Sequence, residues 1–201
     1  MEQTDKIICV ILSAGKSERM KSHKALLPFS DDENFLQHII EVYRKSQVDE
    51  IVVVANPSIA DNIHAEDYKE ITFVSNPFPE RGRIYSLKQG LNASPEAHYC
   101  FVQNIDNPFI TPGVILKLFE SRKDGDYITP VYQGRGGHPA LLSAKVIRYI
   151  LNQENGDFKL NEILKKFKRI NVEVNDEKIL SNINSVEDYE KYFSNKAVNT
   201  F

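Results

Sequence analysis

Near the start of the chain stands the run Ile7-Ile8-Cys9-Val10-Ile11-Leu12, followed directly by Ser13-Ala14-Gly15. An unbroken apolar run rich in β-branched residues predicts a strand that is buried on both faces, as in a parallel sheet covered by helices. The small residues after it predict a turn whose backbone approaches a ligand closely. We therefore expect the first strand of a parallel sheet, with a binding loop at its carboxyl end.

Strand and helix patterns alternate along the rest of the first half. Apolar residues at helical spacing alternate with short apolar, β-branched runs, which is the pattern of repeated β-α-β units. The predicted strands lie at 51–55, 71–74 and 99–102, and the predicted helices at 35–43, 84–91 and 112–119. This order predicts an α/β fold, a three-layer sandwich around a mostly parallel sheet.

The second half is less regular. Two strand patterns, at 127–132 and 139–142, are joined by the Gly-rich segment 133–137, which predicts a small antiparallel insertion. Ser185 and Asp188 form a capping-box pattern at the start of a closing helix. The remaining predicted elements are helices at 144–151, 160–167 and 185–193 and a strand at 170–174. No repeat or linker divides the chain, so we expect a single domain over 1–201.

Composition excludes several classes of protein. The chain has 201 residues and a net charge of −3, with Lys and Arg spread along it, so nucleic acid is not an expected partner. The acidic start is unlike a signal peptide, and the apolar run after it is too short to span a bilayer. We expect a cytoplasmic protein without a membrane partner. Cys9 and Cys100 lie in predicted buried strands, so we expect no disulfide.

The loop after the first strand has the chemistry of a triphosphate site. Backbone N–H groups around Gly15 form an anion-binding nest, and Lys16, Arg19 and Lys24 add positive charge. A Walker A loop is excluded because Val10 stands where its first glycine is required. A dinucleotide fingerprint is excluded because Gly-x-Gly-x-x-Gly is absent. Taken alone, the charges also fit a solvated basic turn.

The segment 11–28 resembles the signature of the MobA-like nucleotidyltransferases, in which Leu-x-(Ala/Gly)-Gly-x-Ser-x-Arg-Met-Gly leads to a Lys and an apolar pair before Pro. Lys21 replaces the usual glycine after Arg-Met. The resemblance implies a Rossmann-like fold of the nucleotide-diphospho-sugar transferase type. It also implies transfer of a nucleoside monophosphate from an NTP to a phosphorylated small molecule, with release of pyrophosphate. The nucleotide-binding residues that it implies are Leu12, Ser13, Ala14, Gly15, Lys16, Ser17, Arg19 and Lys24, with Arg19 and Lys24 catalytic.

One residue of this loop and two further segments resemble the branch of this family that makes the molybdopterin cytosine dinucleotide cofactor. Ala14, where guanylyltransferases usually have glycine, implies CTP as the donor. The segment 76–91 resembles the part that packs under the base, which implies nucleotide contacts from Asn76 and Ser86. The segment 134–141 resembles an Arg-x-Gly-His-Pro stretch near the acceptor. The acceptor-binding residues that it implies are Arg135, Gly137 and His138.

The resemblance also implies a magnesium site. Asp106 follows the strand at 99–102 in the family pattern Asp-x-Pro, and Mg²⁺ prefers one or two carboxylates plus substrate phosphates. Asn184 occupies the position of the second metal ligand in the C-terminal pattern. Other roles stay open at this point: a turn residue for Asp106, a helix N-cap for Asn184 and a turn contact for His138. Ile105 and Arg83 depart from the residues usual in this branch.

We therefore expect a Mg²⁺-dependent enzyme, a monomer or small homo-oligomer, whose partners are CTP and a phosphorylated acceptor such as molybdopterin. A phosphate monoester is largely ionised near neutral pH, so no strong general base is needed, and Asp106, Lys24 and Arg19 act by charge and position. Two alternatives stay open. One is transfer to a sugar phosphate or alcohol phosphate, and the other is a catalytically silent nucleotide-binding protein, because Lys21, Ile105 and Asn184 depart from the family pattern.

Overall fold

The computed structural model describes residues 5–15, 20, 22–46, 48–60, 68, 70–154 and 159–193. The strands are β1 (Ile7–Ser13), β2 (Glu50–Ala55), β3 (Ile71–Ser75), β4 (Tyr99–Asn104), β5 (Tyr127–Tyr132), β6 (Arg135–Gly136), β7 (Ala140–Ser143) and β8 (Arg169–Glu173). The helices are α1 (Phe35–Arg44), α2 (Pro57–Ala60), α3 (Gly82–Ala93), α4 (Pro112–Glu120), α5 (Ala144–Asn152), α6 (Leu160–Leu164) and α7 (Val186–Phe193).

The strands form one mixed sheet in the order β3-β2-β1-β4-β7-β5, with β8 on the far edge of β5. The strands β3, β2, β1 and β4 pair in parallel, and β8 is parallel to β5. Only β7 and the short β6 run antiparallel to the strands they pair with among the described residues. The predicted three-layer α/β fold with a small antiparallel insertion is confirmed.

The strand β1 is buried along its whole length, as its apolar run predicts. Its side chains alternate between two cores. Cys9 and Ile11 pack with residues of α1, α4 and α7 on one face, whereas Val10 and Leu12 pack with residues of α3, α5 and α6 on the other. Helices therefore cover both faces of the sheet, which is why a continuous apolar strand is stable at its centre.

The helix α3 approaches the sheet closely at Gly90. A Cβ atom at this position would lie 2.5 Å from Cγ1 of Val10 and 3.0 Å from Cγ2 of Val54. Glycine is therefore required by the close packing of the helix on β1 and β2, since any larger side chain forces the layers apart.

The helix predicted at 160–167 is too long. It ends at Leu164, because the N–H groups of Lys166 and Phe167 bond to carbonyls only three residues back, and the chain then turns. The carbonyl of Lys168 accepts from the N–H groups of Asp126 and Tyr127, which brings the following strand beside β5. Pairing with the sheet thus overrides the local helical pattern.

Both cysteines are buried and unlinked, as expected. Burial raises the pKa of both the Cys9 and the Cys100 thiol, so each stays a neutral apolar group. Within the described part of the chain, no helix has the length and apolar character needed to cross a bilayer.

Candidate active site

The carboxyl ends of β1 and β4 meet at the middle of the sheet. The N–H of Ile105 donates to the carbonyl of Leu12 at 3.1 Å, so the two loops leave the sheet side by side. The helix after β1 and the helix before β4 lie on opposite faces. The strand order reverses between β1 and β4, and at such a point α/β proteins bind ligands in the crevice outside the carboxyl ends of the strands.

Three of the predicted residues converge in this crevice. The ammonium of Lys24 lies 2.8 Å from Oδ1 of Asn184 and 3.8 Å from Oδ2 of Asp106. The Lys24 and Asp106 side chains are 12% and 20% exposed. Positions 24 and 184 are 160 residues apart in the chain, so only the fold brings them together.

Asp106 presents a second oxygen to the same crevice. Its Oδ1 atom is buried and has no hydrogen-bond partner among the described residues. A buried carboxylate oxygen without a partner is costly, so such an atom marks the place of a ligand. If Asp106 served only to fix the turn before Pro108, this oxygen would bond to a nearby backbone N–H.

Asn184 does not cap the closing helix. The Oγ of Ser185 accepts from the N–H of Asp188 at 3.2 Å, and the Asp188 carboxylate accepts in return from the N–H of Ser185 at 3.0 Å. The predicted capping box is therefore present, with Ser185 as the cap. The same carboxylate accepts from the Asn184 N–H at 2.8 Å, which fixes the backbone there. The Asn184 side chain instead accepts from the Lys24 ammonium.

Three buried amide side chains at the end of β4 support the site, and their role was missed by sequence reasoning. Asn104 donates to Oδ1 of Asn107 at 3.0 Å, and Asn107 donates in turn to the carbonyl of Ser181 at 3.0 Å and to Asn182. Gln103 donates to the carbonyls of Asn104 and Asn107. The signal was visible, since three amides directly after a buried apolar strand must find partners.

His138 lies at the same edge of the sheet. Its backbone N–H donates to the carbonyl of Ile179, and its Nδ1 lies 3.4 Å from the Asn104 amide nitrogen. Burial, with the charge of Arg83 in addition, lowers the pKa of His138 against the opposing effect of Asp106. The imidazole is therefore neutral at neutral pH, and if Nδ1 accepts from Asn104, its proton is on Nε2.

The other two residues expected at the acceptor differ in their surroundings. Gly137 packs against the backbone, because a Cβ atom there would lie 2.6 Å from the carbonyl oxygen of Ile179. Arg135 is exposed in β6. Gly137 is thus required by packing, and the acceptor contacts of all three residues remain predictions.

The nucleotide-binding candidates fall into three groups. Ser13 ends β1 with a buried Oγ that has no hydrogen-bond partner among the described residues, and Gly15 is exposed at the mouth of the loop. Leu12 and Ala14 are buried. Lys16, Ser17, Arg19 and the departure at Lys21 lie outside the described residues.

Asn76 and Ser86 are bonded to each other. The Asn76 side chain is 0% exposed, donates to Oγ of Ser86 at 2.9 Å and accepts from the N–H of Phe78 at 2.9 Å. These bonds hold the loop that joins β3 to α3. The pair therefore shapes this end of the crevice, and its direct contact with a nucleotide remains a prediction.

The comparisons with known proteins identify the family. Residues 9–172 match the MobA-like NTP transferase domain. The chain belongs to this family. The MobA-like resemblance of the loop 11–28 is therefore confirmed, and the chain is a nucleotidyltransferase by family.

Relatives of both nucleotide specificities are similar to this MobA-like chain. It is 26% identical over 187 residues to the molybdenum cofactor cytidylyltransferase of Escherichia coli, and this alignment covers 91% of this chain and 93% of the relative. It is 28% identical over 202 residues to a probable molybdenum cofactor guanylyltransferase of Clostridium perfringens, with 94% and 96% covered.

Solved structures support the fold. A nucleotidyl transferase from Methanothermobacter superposes with a TM-score of 0.80 at 22% identity and covers 96% of this chain and 98% of its own. The mixed sheet described above is therefore the sheet of a known nucleotidyltransferase architecture.

Proposed function

We propose that the chain is a Mg²⁺-dependent cytidylyltransferase that transfers CMP from CTP to a phosphorylated small-molecule acceptor such as molybdopterin. The observation that carries this proposal is the convergence of Lys24, Asp106 and Asn184 at the carboxyl ends of β1 and β4. In the same place, the buried Oδ1 of Asp106 has no protein partner among the described residues. The Lys24 ammonium suits the negative charge of a triphosphate, and the side-chain oxygens of Asp106 and Asn184 suit its metal ion.

The residues present fit a magnesium ion that is shared with substrate. No group of three His, Cys, Asp or Glu side chains capable of holding a metal occurs in the described ranges, so a dedicated metal cage is absent there. Asp106 and Asn184 would hold the ion, with phosphate oxygens completing its coordination, which is the usual arrangement for Mg²⁺. When bound, the ion supplies positive charge against the triphosphate. The two oxygens already favour a cation, since they hold the Lys24 ammonium.

The chain's own residues would then position and neutralise the reactants. An oxygen of the acceptor phosphate attacks the α-phosphorus of CTP and forms a new P–O–P bond. The bond from the α-phosphorus to the bridging oxygen breaks, and pyrophosphate leaves with that electron pair. Lys24, with Arg19, neutralises the departing charge, and the loop at Ser13 and Gly15 donates to phosphate oxygens. A phosphate monoester, with a second pKa of about 6, is already largely ionised and needs no base to remove a proton.

The metal role is tested by Asp106→Asn, with Asp124→Asn as a matched control at an exposed aspartate in the loop between α4 and β5. We expect pyrophosphate release from CTP and acceptor to fall roughly 100-fold or more in Asp106→Asn, in line with the loss of a charged group that stabilises the transition state. The control should keep the wild-type rate. Equal activity of Asp106→Asn and wild type would exclude the metal role, and no turnover of wild type with any phosphorylated acceptor would favour the silent nucleotide-binding alternative.

The base is tested by melting curves with CTP, GTP, UTP and ATP in the presence of Mg²⁺. A ligand at about 100 times its Kd stabilises by roughly 2.7 kcal/mol, which corresponds to about 5–10 °C in Tm for a chain of this size. The buried Ala14 in the phosphate loop supports CTP, by its likeness to the cytidylyltransferase branch. A rise in Tm with GTP and none with CTP would show that the assignment of CTP as the donor is wrong. Sugar phosphates and alcohol phosphates belong in the acceptor panel beside molybdopterin.

A further inference from the structure

The Lys24 ammonium lies beside both of the side chains that would hold the metal ion. It donates to Oδ1 of Asn184 at 2.8 Å and lies 3.8 Å from Oδ2 of Asp106. Because Mg²⁺ binds oxygen at about 2.0–2.1 Å, an ion on the Asn184 oxygen would lie within about 5 Å of the ammonium as it stands. Two cations at such a distance repel, and more strongly between largely buried side chains than in water. The ammonium and a metal ion therefore compete for the same oxygens.

The charges of the three side chains also disfavour an ion that arrives alone. Asp106 brings one negative charge, Lys24 brings one positive charge and the Asn184 amide brings none, so together they are neutral. Mg²⁺ loses its water reluctantly and is usually bound by carboxylates together with substrate phosphates. A triphosphate would supply the missing negative charge, and its oxygens would also give the ammonium a new partner. The nucleotide thus relieves the competition in two ways.

The Lys24 side chain is better able to move than the two metal ligands. The Asn184 N–H is held by the Asp188 carboxylate at 2.8 Å, and the carbonyl of Asp106 accepts from the N–H of Ile183 at 2.8 Å. Because asparagine and aspartate side chains are short, a fixed backbone also confines their oxygens. Lysine instead carries its charge on a flexible four-carbon stem. The ammonium can therefore move from the two oxygens to a phosphate while the metal ligands keep their places.

We propose that Lys24 keeps the free metal ion out of the site and admits the ion together with the triphosphate. Lys24 is then a specificity-determining residue, because it selects the metal–NTP complex as the substrate over the metal ion alone. The inference rests on the proposed nucleotidyl transfer and adds a second role to the charge neutralisation given to Lys24 there. A lysine that only bound phosphate would not affect the affinity for an ion offered without nucleotide. That affinity therefore separates the two roles.

The test measures Mn²⁺ binding to the full chain without nucleotide, from the loss of the EPR signal of the free ion. Mn²⁺ is the probe because it suits the same oxygen ligands as Mg²⁺. Lys24→Met removes the charge but keeps a long side chain, and we expect its dissociation constant for Mn²⁺ to be at least 10-fold lower than that of wild type. Lys24→Arg keeps the charge and should bind Mn²⁺ as weakly as wild type. Lys117→Met is the matched control, because Lys117 is exposed on α4.

Two results would overturn the competition directly. One is an equal dissociation constant for wild type and Lys24→Met, and the other is weaker binding in Lys24→Met, which would mean that the lysine supports the metal ligands. Asp106→Asn added to Lys24→Met should abolish the gain in affinity, and a gain that survived would place the ion elsewhere and overturn the proposal. The Tm of each variant verifies that it is folded. Lys24→Gln, which also removes the charge, provides the same comparison if Lys24→Met does not fold.

Failure of this inference and failure of the proposed transfer are distinguishable. The affinity for Mn²⁺ is measured without nucleotide or acceptor, so it does not depend on turnover. An active wild type whose Mn²⁺ affinity is unchanged by Lys24→Met would overturn the competition alone. Tighter Mn²⁺ binding in Lys24→Met, together with a wild type that transfers nothing, would support the competition and count against the transfer.

Discussion

Replacement of Asn107 by alanine tests whether the buried amide network holds the active-site loops together. The Asn107 side chain is 3% exposed and makes three hydrogen bonds. One joins it to Asn104 at the end of β4, and two join it to Ser181 and Asn182 in the segment that leads to Asn184. The variant therefore cuts the side-chain link between the two segments that carry Asp106 and Asn184.

The expected loss of stability is about 3 kcal/mol. Each hydrogen bond contributes about 0.5–1.5 kcal/mol net, and a buried partner left without a bond adds about 1–3 kcal/mol. The Asn104 amide keeps its contact with His138, and Asn182 is exposed and regains water, so the sum stays near the lower end. For a domain of this size, about 3 kcal/mol corresponds to a fall in Tm of roughly 6–12 °C.

The assay compares thermal unfolding of wild type, Asn107→Ala and Asn182→Ala. The last variant removes one of the three bonds at an exposed residue, so it should lose no more than about 1 kcal/mol. Below its unfolding transition, Asn107→Ala should also need more Mg²⁺ for turnover, since Asn184 is less firmly placed. A Tm within about 2 °C of wild type, or equal losses in the two variants, would refute the role given to this network.

Two further predictions concern packing and pH. Gly90→Ala should lower the free energy of unfolding in urea by about 1–3 kcal/mol, because its Cβ atom would lie 2.5 Å from Cγ1 of Val10. Gly113→Ala is the control and should be neutral or slightly stabilising, since the nearest atom to its Cβ is 4.0 Å away. If the two variants had the same free energy of unfolding, the inferred close packing of α3 on the sheet at Gly90 would be wrong. Burial lowers the pKa of His138, so the folded state resists protonation of this side chain. The contribution of the neutral imidazole to stability is therefore present above about pH 6.5 and is lost as the pH falls toward the lowered pKa. The pKa of His38 is lowered too, so the measurement is the difference in the pH dependence of stability between wild type and His138→Gln. The curve of His138→Gln should be flatter, and identical curves would count against a neutral, half-buried imidazole.

Local patterns predicted most of the elements because their causes are local. The apolar run 7–12 is β1 with one residue added, and the helical spacing over 35–43 is α1, whose start is fixed by a capping box between Asn34 and Gln37. The helix at 160–167 was the exception. Its end is decided by pairing with the sheet, which no local pattern contains.

The candidate site divides in the same way. The MobA-like loop, Asp106 and Asn184 were each found from short motifs, because each motif has its residues within a few positions of one another. The network of Gln103, Asn104 and Asn107 was missed, since an amide's role depends on partners more than 70 positions away, such as Ser181 and Asn182.

By itself, the sequence determined the family, the α/β alternation and the kinds of residue available for phosphate and metal. The tertiary structure decided which of them meet. It placed Lys24 against Asn184 across 160 residues and assigned the cap of α7 to Ser185. The physical reason is that chain-local preferences act over a few residues, whereas a site at the carboxyl ends of strands is assembled by the register of the sheet and by the packing of its two helical layers.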